Sequence, residues 1–259
     1  MGFANRLRAT ERVARKQNLL ALAEHLSFSM RTLGILGGLG PESTIDYYRA
    51  ILARYREITN NREYPHVLIN SLDVDKGIAM LDAGQLDELT DYLSRGIDQL
   101  ARAGSDFACM AANTPHLVFD DVQRRSRIPL LSIVHVTAEH ARRLGMKKLG
   151  LLGTGFTMRA NFYPREFQSA GMVLVVPTEG EREFIHRKYI GELLKNKFLP
   201  ETGKEILRIV ERLRAEEKVE AVVLAGTELP LLLRGSDSGI PFLDTTIIHV
   251  EAIVGELLR

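Results

Sequence analysis

The 259-residue chain holds a single cysteine, Cys109, so no internal disulfide can form. No cysteine and histidine cluster has the spacing of a zinc site, and the chain reads as metal-free and cytoplasmic. Net charge is almost absent too: 34 Lys and Arg against 33 Asp and Glu leave +1 at pH 7. That gives no broad electrostatic footprint for nucleic acid or an anionic membrane. No apolar run approaches the roughly 20 residues that a bilayer span needs. The start lacks the apolar stretch and small-residue cleavage pattern of a secretory signal. With 45% hydrophobic and 26% charged residues, the composition is that of a globular protein with one large domain or two modest ones.

What the chain does have is repetition. Leu33-Gly34-Ile35-Leu36-Gly37 returns as Leu149-Gly150-Leu151-Leu152-Gly153, and Ile128-Pro129-Leu130-Leu131 returns as Ile240-Pro241-Phe242-Leu243. Between them, two apolar runs break into short polar motifs, Asn113-Thr114-Pro115-His116 and Thr227-Glu228-Leu229-Pro230. Matching marks lie 116, 114 and 112 residues apart, always in the same order. A unit of this length is too long for a solenoid and suits a small α/β domain, which predicts two lobes related by a pseudo-twofold axis. Their matching motifs then face one another across a cleft.

Each half alternates short aliphatic runs with amphipathic stretches, the pattern of βα units on a mostly parallel sheet flanked by helices. Strands are expected at 32–36, 66–71, 107–111 and 130–133, then at 149–152, 172–176, 221–224 and 242–243. Helices are expected at 43–55, 85–103 and 117–125, and at 159–170, 181–194, 202–217 and 247–258. The predicted organisation is an N-terminal extension helix over 1–29, a first lobe over 30–128 completed by a C-terminal helix at 245–259, and a second lobe over 129–244. The leading helix has a basic start and carries Leu19, Leu20, Leu22 and Leu26 near one face.

Ligands of open α/β sheets gather beyond the carboxyl ends of the strands, so the motifs after the strands define the expected site. Gly37-Gly38-Leu39-Gly40-Pro41 fails the dinucleotide pattern, because Ser43 holds the place of the last glycine and Pro41 removes a backbone donor. Gly38 reads instead as a tight turn, or as a bare amide approaching a carboxylate. Asn113, Thr114, Thr154, Thr157, Thr227 and Glu228 bring hydroxyls, an amide and a carboxyl to strand tips, where they can cradle a small carboxylic acid or cap the following helices. Lys76 and Arg165 are candidate partners for a second carboxylate. His116, His135 and His249 have the intrinsic pKa to titrate near neutrality, although only His116 adjoins a motif. Cys109, inside a buried strand, reads as core.

Together, Gly34 to Pro41, Asn113 to His116, Gly150 to Thr154 and Thr227 to Pro230 resemble the aspartate/glutamate racemase family, the cofactor-independent amino-acid racemases. The resemblance runs from about Met30 to the C-terminus. It implies an α/β protein of two lobes, an active site in the interlobe cleft, a homodimer, and no pyridoxal phosphate. It further implies an isomerase that removes the α-proton of aspartate or glutamate on one face and returns a proton on the other, with one thiol per lobe. The positions that match the family's two cysteines are Ala112, before Asn-Thr, and Gly226, before Thr-Glu. Neither side chain can carry a proton. Thr114 and Thr227 are the nearest stand-ins, with His116 and Glu228 as outer candidates. The alternatives are a catalytically silent binder of a small amino or dicarboxylic acid, and a lyase or decarboxylase that needs at most one proton donor.

Overall fold

The structure, a computed structural model, describes residues 31–60, 62–233 and 235–259. The helix expected over 1–29 lies outside the described residues. Two four-stranded sheets, parallel at every pairing, form the framework. The first has order β2-β1-β3-β4, built from β1 (Thr32–Gly37), β2 (His66–Ser71), β3 (Phe107–Met110) and β4 (Leu130–Leu131). The second has order β6-β5-β7-β8, from β5 (Lys148–Gly153), β6 (Val173–Val175), β7 (Ala221–Ala225) and β8 (Phe242–Asp244). The two orders are the same after renumbering, as a duplicated sequence requires.

Between the strands run α1 (Pro41–Ile58), α2 (Val74–Asp82), α3 (Leu86–Arg102), α4 (Phe119–Arg125) and α5 (Ile133–Arg143). The second half adds α6 (Gly155–Arg159), α7 (Phe162–Ser169), α8 (Glu179–Gly191), α9 (Pro200–Glu217), α10 (Leu229–Leu233) and α11 (Thr245–Leu257). No described helix is long and apolar enough to cross a membrane.

Strand side chains alternate between faces, and the alternation divides the core. Leu33 and Ile35 of β1, Cys109 of β3, Leu149 and Leu151 of β5 and Val223 of β7 all enter one shared cluster. Their neighbours Leu36 and Met110 join a cluster under α3, while Leu152, Val222 and Leu224 join another under α8 and α9. The shared cluster also takes residues of α1, α5, α7 and α11. Here the final helix of each half packs against the other half: α11 lies along α1 and α5, and α5 lies against α7. Apolar burial of Cys109 pushes its thiol up to about 12, so it is inert core.

Several expected elements change form. The strand predicted over 130–133 stops at Leu131, and a helix starts at Ile133. Ile133, Val134, Val136 and Thr137 are β-branched and read locally as strand. The Ser132 side chain accepts from the His135 amide as an N-cap, and Ile133, Val134, Thr137, Ala138 and Ala141 bury one helical face. The helix expected over 159–170 starts only at Phe162, after the extended Ala160, and a separate short helix occupies Gly155–Arg159. Helix α2, absent from the sequence reading, starts where the Asp73 carboxylate caps the amides of Asp75 and Lys76.

Candidate functional site

Strands β3 and β7 carry their polar motifs to one cavity of about 60 Å³, lined by Ala112, Asn113 and Thr114 from the first half and by Gly226, Thr227 and Glu228 from the second. The duplication therefore brings the two strand ends to a common space. Thr154, at the end of β5, lines it as well.

Three hydroxyls meet across the lobes. Thr114 Oγ1 lies 2.9 Å from Thr154 Oγ1 and 3.1 Å from Thr157 Oγ1, and the latter two are 3.2 Å apart. Thr154 is also the N-cap of α6, accepting from the Thr157 amide. Each hydroxyl has one proton to donate, so the triangle can turn donors toward an anion. Asn113 differs. Its side chain is buried in the protein, donating to Thr245 Oγ1 at 3.2 Å and accepting from the Tyr163 hydroxyl at 2.6 Å, so it ties β3 to α11 and α7.

On the second lobe stands a residue that sequence reasoning passed over. Tyr189, in the last turn of α8, is buried and donates its hydroxyl to Glu228 Oε2. Thr227 Oγ1 donates to the same oxygen at 2.9 Å. Burial raises the Glu228 pKa, against the opposing pull of these two hydroxyls, and raises that of Tyr189 more strongly, with the Glu228 charge adding to it. The other carboxylate oxygen of Glu228 lies against Gly40, where a Cβ would come within 2.5 Å of it.

Tyr189 explains why position 226 is glycine. A Cβ there would sit 2.5 Å from Tyr189 Cε2 and 2.7 Å from its hydroxyl oxygen, inside contact distance. The phenol thus fills the space that a residue-226 side chain needs. The facing position in the first lobe, Ala112, also lines the cavity and offers only a methyl group. Nothing about a tyrosine in a helix announces this; the sequence signal is the glycine itself.

The other sequence candidates lie elsewhere. The Gly38 amide is taken by Thr44 Oγ1 at 2.9 Å, and a φ of 75° with a Cβ position 2.1 Å from Leu72 O makes glycine obligatory there. His116 is buried, hydrogen-bonded through Nδ1 to Ala112 O and through Nε2 to the Ile133 amide, and burial pulls its pKa down to about 4. Lys76 and Arg165, with side chains 67% and 60% exposed, face Asp73 and Asp120 outside the cavity. His135 pairs with Glu166 on the surface. Among the described residues, no group of three or more His, Cys, Asp or Glu side chains is arranged to hold a metal ion.

Comparison with known proteins places this geometry in a family. The signature of the family described as Asp/Glu/hydantoin racemase matches residues 36–253. The broad specificity amino-acid racemase RacX of Bacillus subtilis (strain 168) is 24% identical over 239 residues, which is 87% of this chain and 98% of that protein. Among solved structures, an aspartate racemase homologue from Pyrococcus horikoshii OT3 is 34% identical with a TM-score of 0.76, over 89% of this chain and all of that one. The aspartate racemase of Picrophilus torridus shares the fold at 20% identity and a TM-score of 0.68, over 88% of this chain and 94% of that one. With most of its length matched by the family signature, and with two four-stranded parallel sheets whose motif-bearing ends share one cavity, this chain belongs to the Asp/Glu/hydantoin racemase family.

Proposed function

We propose that the chain is a cofactor-independent enzyme acting at the α-carbon of an amino acid held in the interlobe cavity, with proton transfer confined to the Tyr189–Glu228 side. One observation carries this reading: a buried phenol and a buried carboxyl share a hydrogen bond at the cavity wall, in the volume that a side chain at position 226 would occupy. Groups with raised and coupled affinities for a proton, placed in a cleft, are what acid–base chemistry uses.

In the proposed step the Cα–H bond breaks and its proton passes to the Tyr189–Glu228 pair. The electron pair left on Cα delocalises into the substrate carboxylate, whose growing charge is met by the hydroxyls of Thr114 and Thr154, with Thr157 hydrogen-bonded behind them. The proton then returns from the same pair. Opposite stands Ala112, which has none to give, so return occurs on the face from which the proton left. The outcome is exchange with solvent and retention of configuration. The same asymmetry favours a second reading, a lyase whose product needs one proton from one side. The protein is further proposed to act as a homodimer in the cytoplasm, a reading supported by its lone, buried cysteine and by the family resemblance.

The test is incubation of the protein with separate enantiomers of several amino acids in D₂O, following the Cα proton by NMR and configuration by chiral chromatography. Deuterium entering one enantiomer without inversion is expected, and Tyr189→Phe should slow it by roughly 10²-fold or more. Inversion at the rate of exchange would mean a second acid on the Ala112 side and would end the one-sided account. Ligand-induced thermal stabilisation without exchange would leave a silent binder.

A further inference from the structure

The polar groups of the cavity stand to one side of it. Thr114, Thr154, Thr227 and Glu228 gather at the strand ends, where an α-carboxylate and an α-amino group find hydrogen-bonding partners. Much of the remaining wall is apolar, with Val74, Ile78 and Leu81 from α2, Leu89 from α3, Phe156 from α6 and Ile190 from α8. Among the described residues, no lysine, arginine or histidine lines the cavity, and its carboxyl, Glu228, offers a second carboxylate no cation.

We propose that the ligand carries an uncharged aliphatic side chain, so that this site takes a small apolar amino acid in preference to aspartate or glutamate. The inference rests on the reading that the interlobe cavity binds an amino acid, and it deepens that reading by naming the side chain. A distal carboxylate placed against this wall would leave water without gaining a cation, a cost that an isolated buried charge does not recover. The nearby basic groups are engaged elsewhere: Lys76 Nζ lies 3.9 Å from Asp73, Arg159 donates to Glu179 at 3.4 Å, and Lys188 is paired with Glu192. An aliphatic side chain meets no such penalty. Each methylene it buries tightens binding about fourfold.

The experiment is calorimetric titration of the full chain with alanine, 2-aminobutyrate and norvaline, each as both enantiomers, and with aspartate and glutamate. Affinity should climb about fourfold per methylene along the aliphatic series. Both acidic amino acids should bind at least about tenfold more weakly than norvaline. A second arm uses Ile78→Arg, which puts a cation on the half-buried face of α2 and should reverse the order in favour of the acidic ligands. Tighter binding of aspartate or glutamate by the unaltered protein, or an aliphatic series that is flat with chain length, overturns the apolar assignment while the amino-acid reading survives. Failure of every amino acid to bind overturns both.

Discussion

At the scale of single residues, the central relation is between Gly226 and Tyr189, two positions distant in sequence that share one volume. A cysteine placed at 226 alone has to displace a phenol whose ring is packed and whose hydroxyl is engaged by Glu228. Overfilling of this kind costs ~1–3 kcal/mol. Tyr189→Ala alone hollows the same site and leaves Glu228 without its hydroxyl donor, at ~3–5 kcal/mol. The double variant should be more stable than the sum of the two losses predicts, by at least ~1 kcal/mol in a urea-denaturation cycle. Additive losses would show that the residues do not compete for the space. Thiol chemistry restored at 112 and 226 therefore requires a smaller residue at 189. Thr114, Thr227 and Glu228 reach the cavity wall from strand tips that the repetition marks as a matched pair. Tyr189 carries no such mark, since its part is defined by a gap on another element.

At the scale of elements, the junction of β4 and α5 shows where local pattern and tertiary packing part. Ile133, Val134 and Val136 argue for strand, and a capping serine with one buried helical face overrules them. Helix α2 is only nine residues long, too short for its one apolar stripe, Val74, Ile78 and Leu81, to stand out from a loop. Two neutral histidines secure this junction. His116 accepts the Ile133 amide through Nε2, and His249 donates from Nε2 to Leu131 O while accepting the Tyr47 hydroxyl at Nδ1. Burial lowers their pKa values to about 4 and about 3, with His116 adding to the shift of His249. Because the folded values lie below the ordinary value of about 6.5, the unfolded chain takes up protons first. Stability is thus complete above pH ~6.5 and declines as pH falls toward 4 and 3. Denaturant titrations at pH 7, 6 and 5 should show a loss of roughly 2–3 kcal/mol between pH 6 and 5 from this pair. A flat profile across that interval would mean that the two imidazoles are charged in the native state.

At the scale of the whole molecule, the duplicated halves are legible in sequence as two lobes, and the shared cluster between them is not. Periodicity says which strand residues face inward, but not that Leu33, Cys109, Leu149 and Val223 face the same interior. Cooperative units follow buried contacts rather than sequence repeats. Calorimetry should accordingly give one transition, with equal van't Hoff and calorimetric enthalpies, instead of two. Resolved separate transitions would mean that the halves are held together only weakly.

The reciprocal placement of α5 and α11 has an engineering corollary. Cutting the chain between β4 and β5 would leave each fragment holding a helix that belongs beside its counterpart, like two hands each wearing the other's glove. Neither fragment would be soluble alone, yet mixing them should regenerate the native assembly, and chimaeras built from relatives would have to exchange both parts at once.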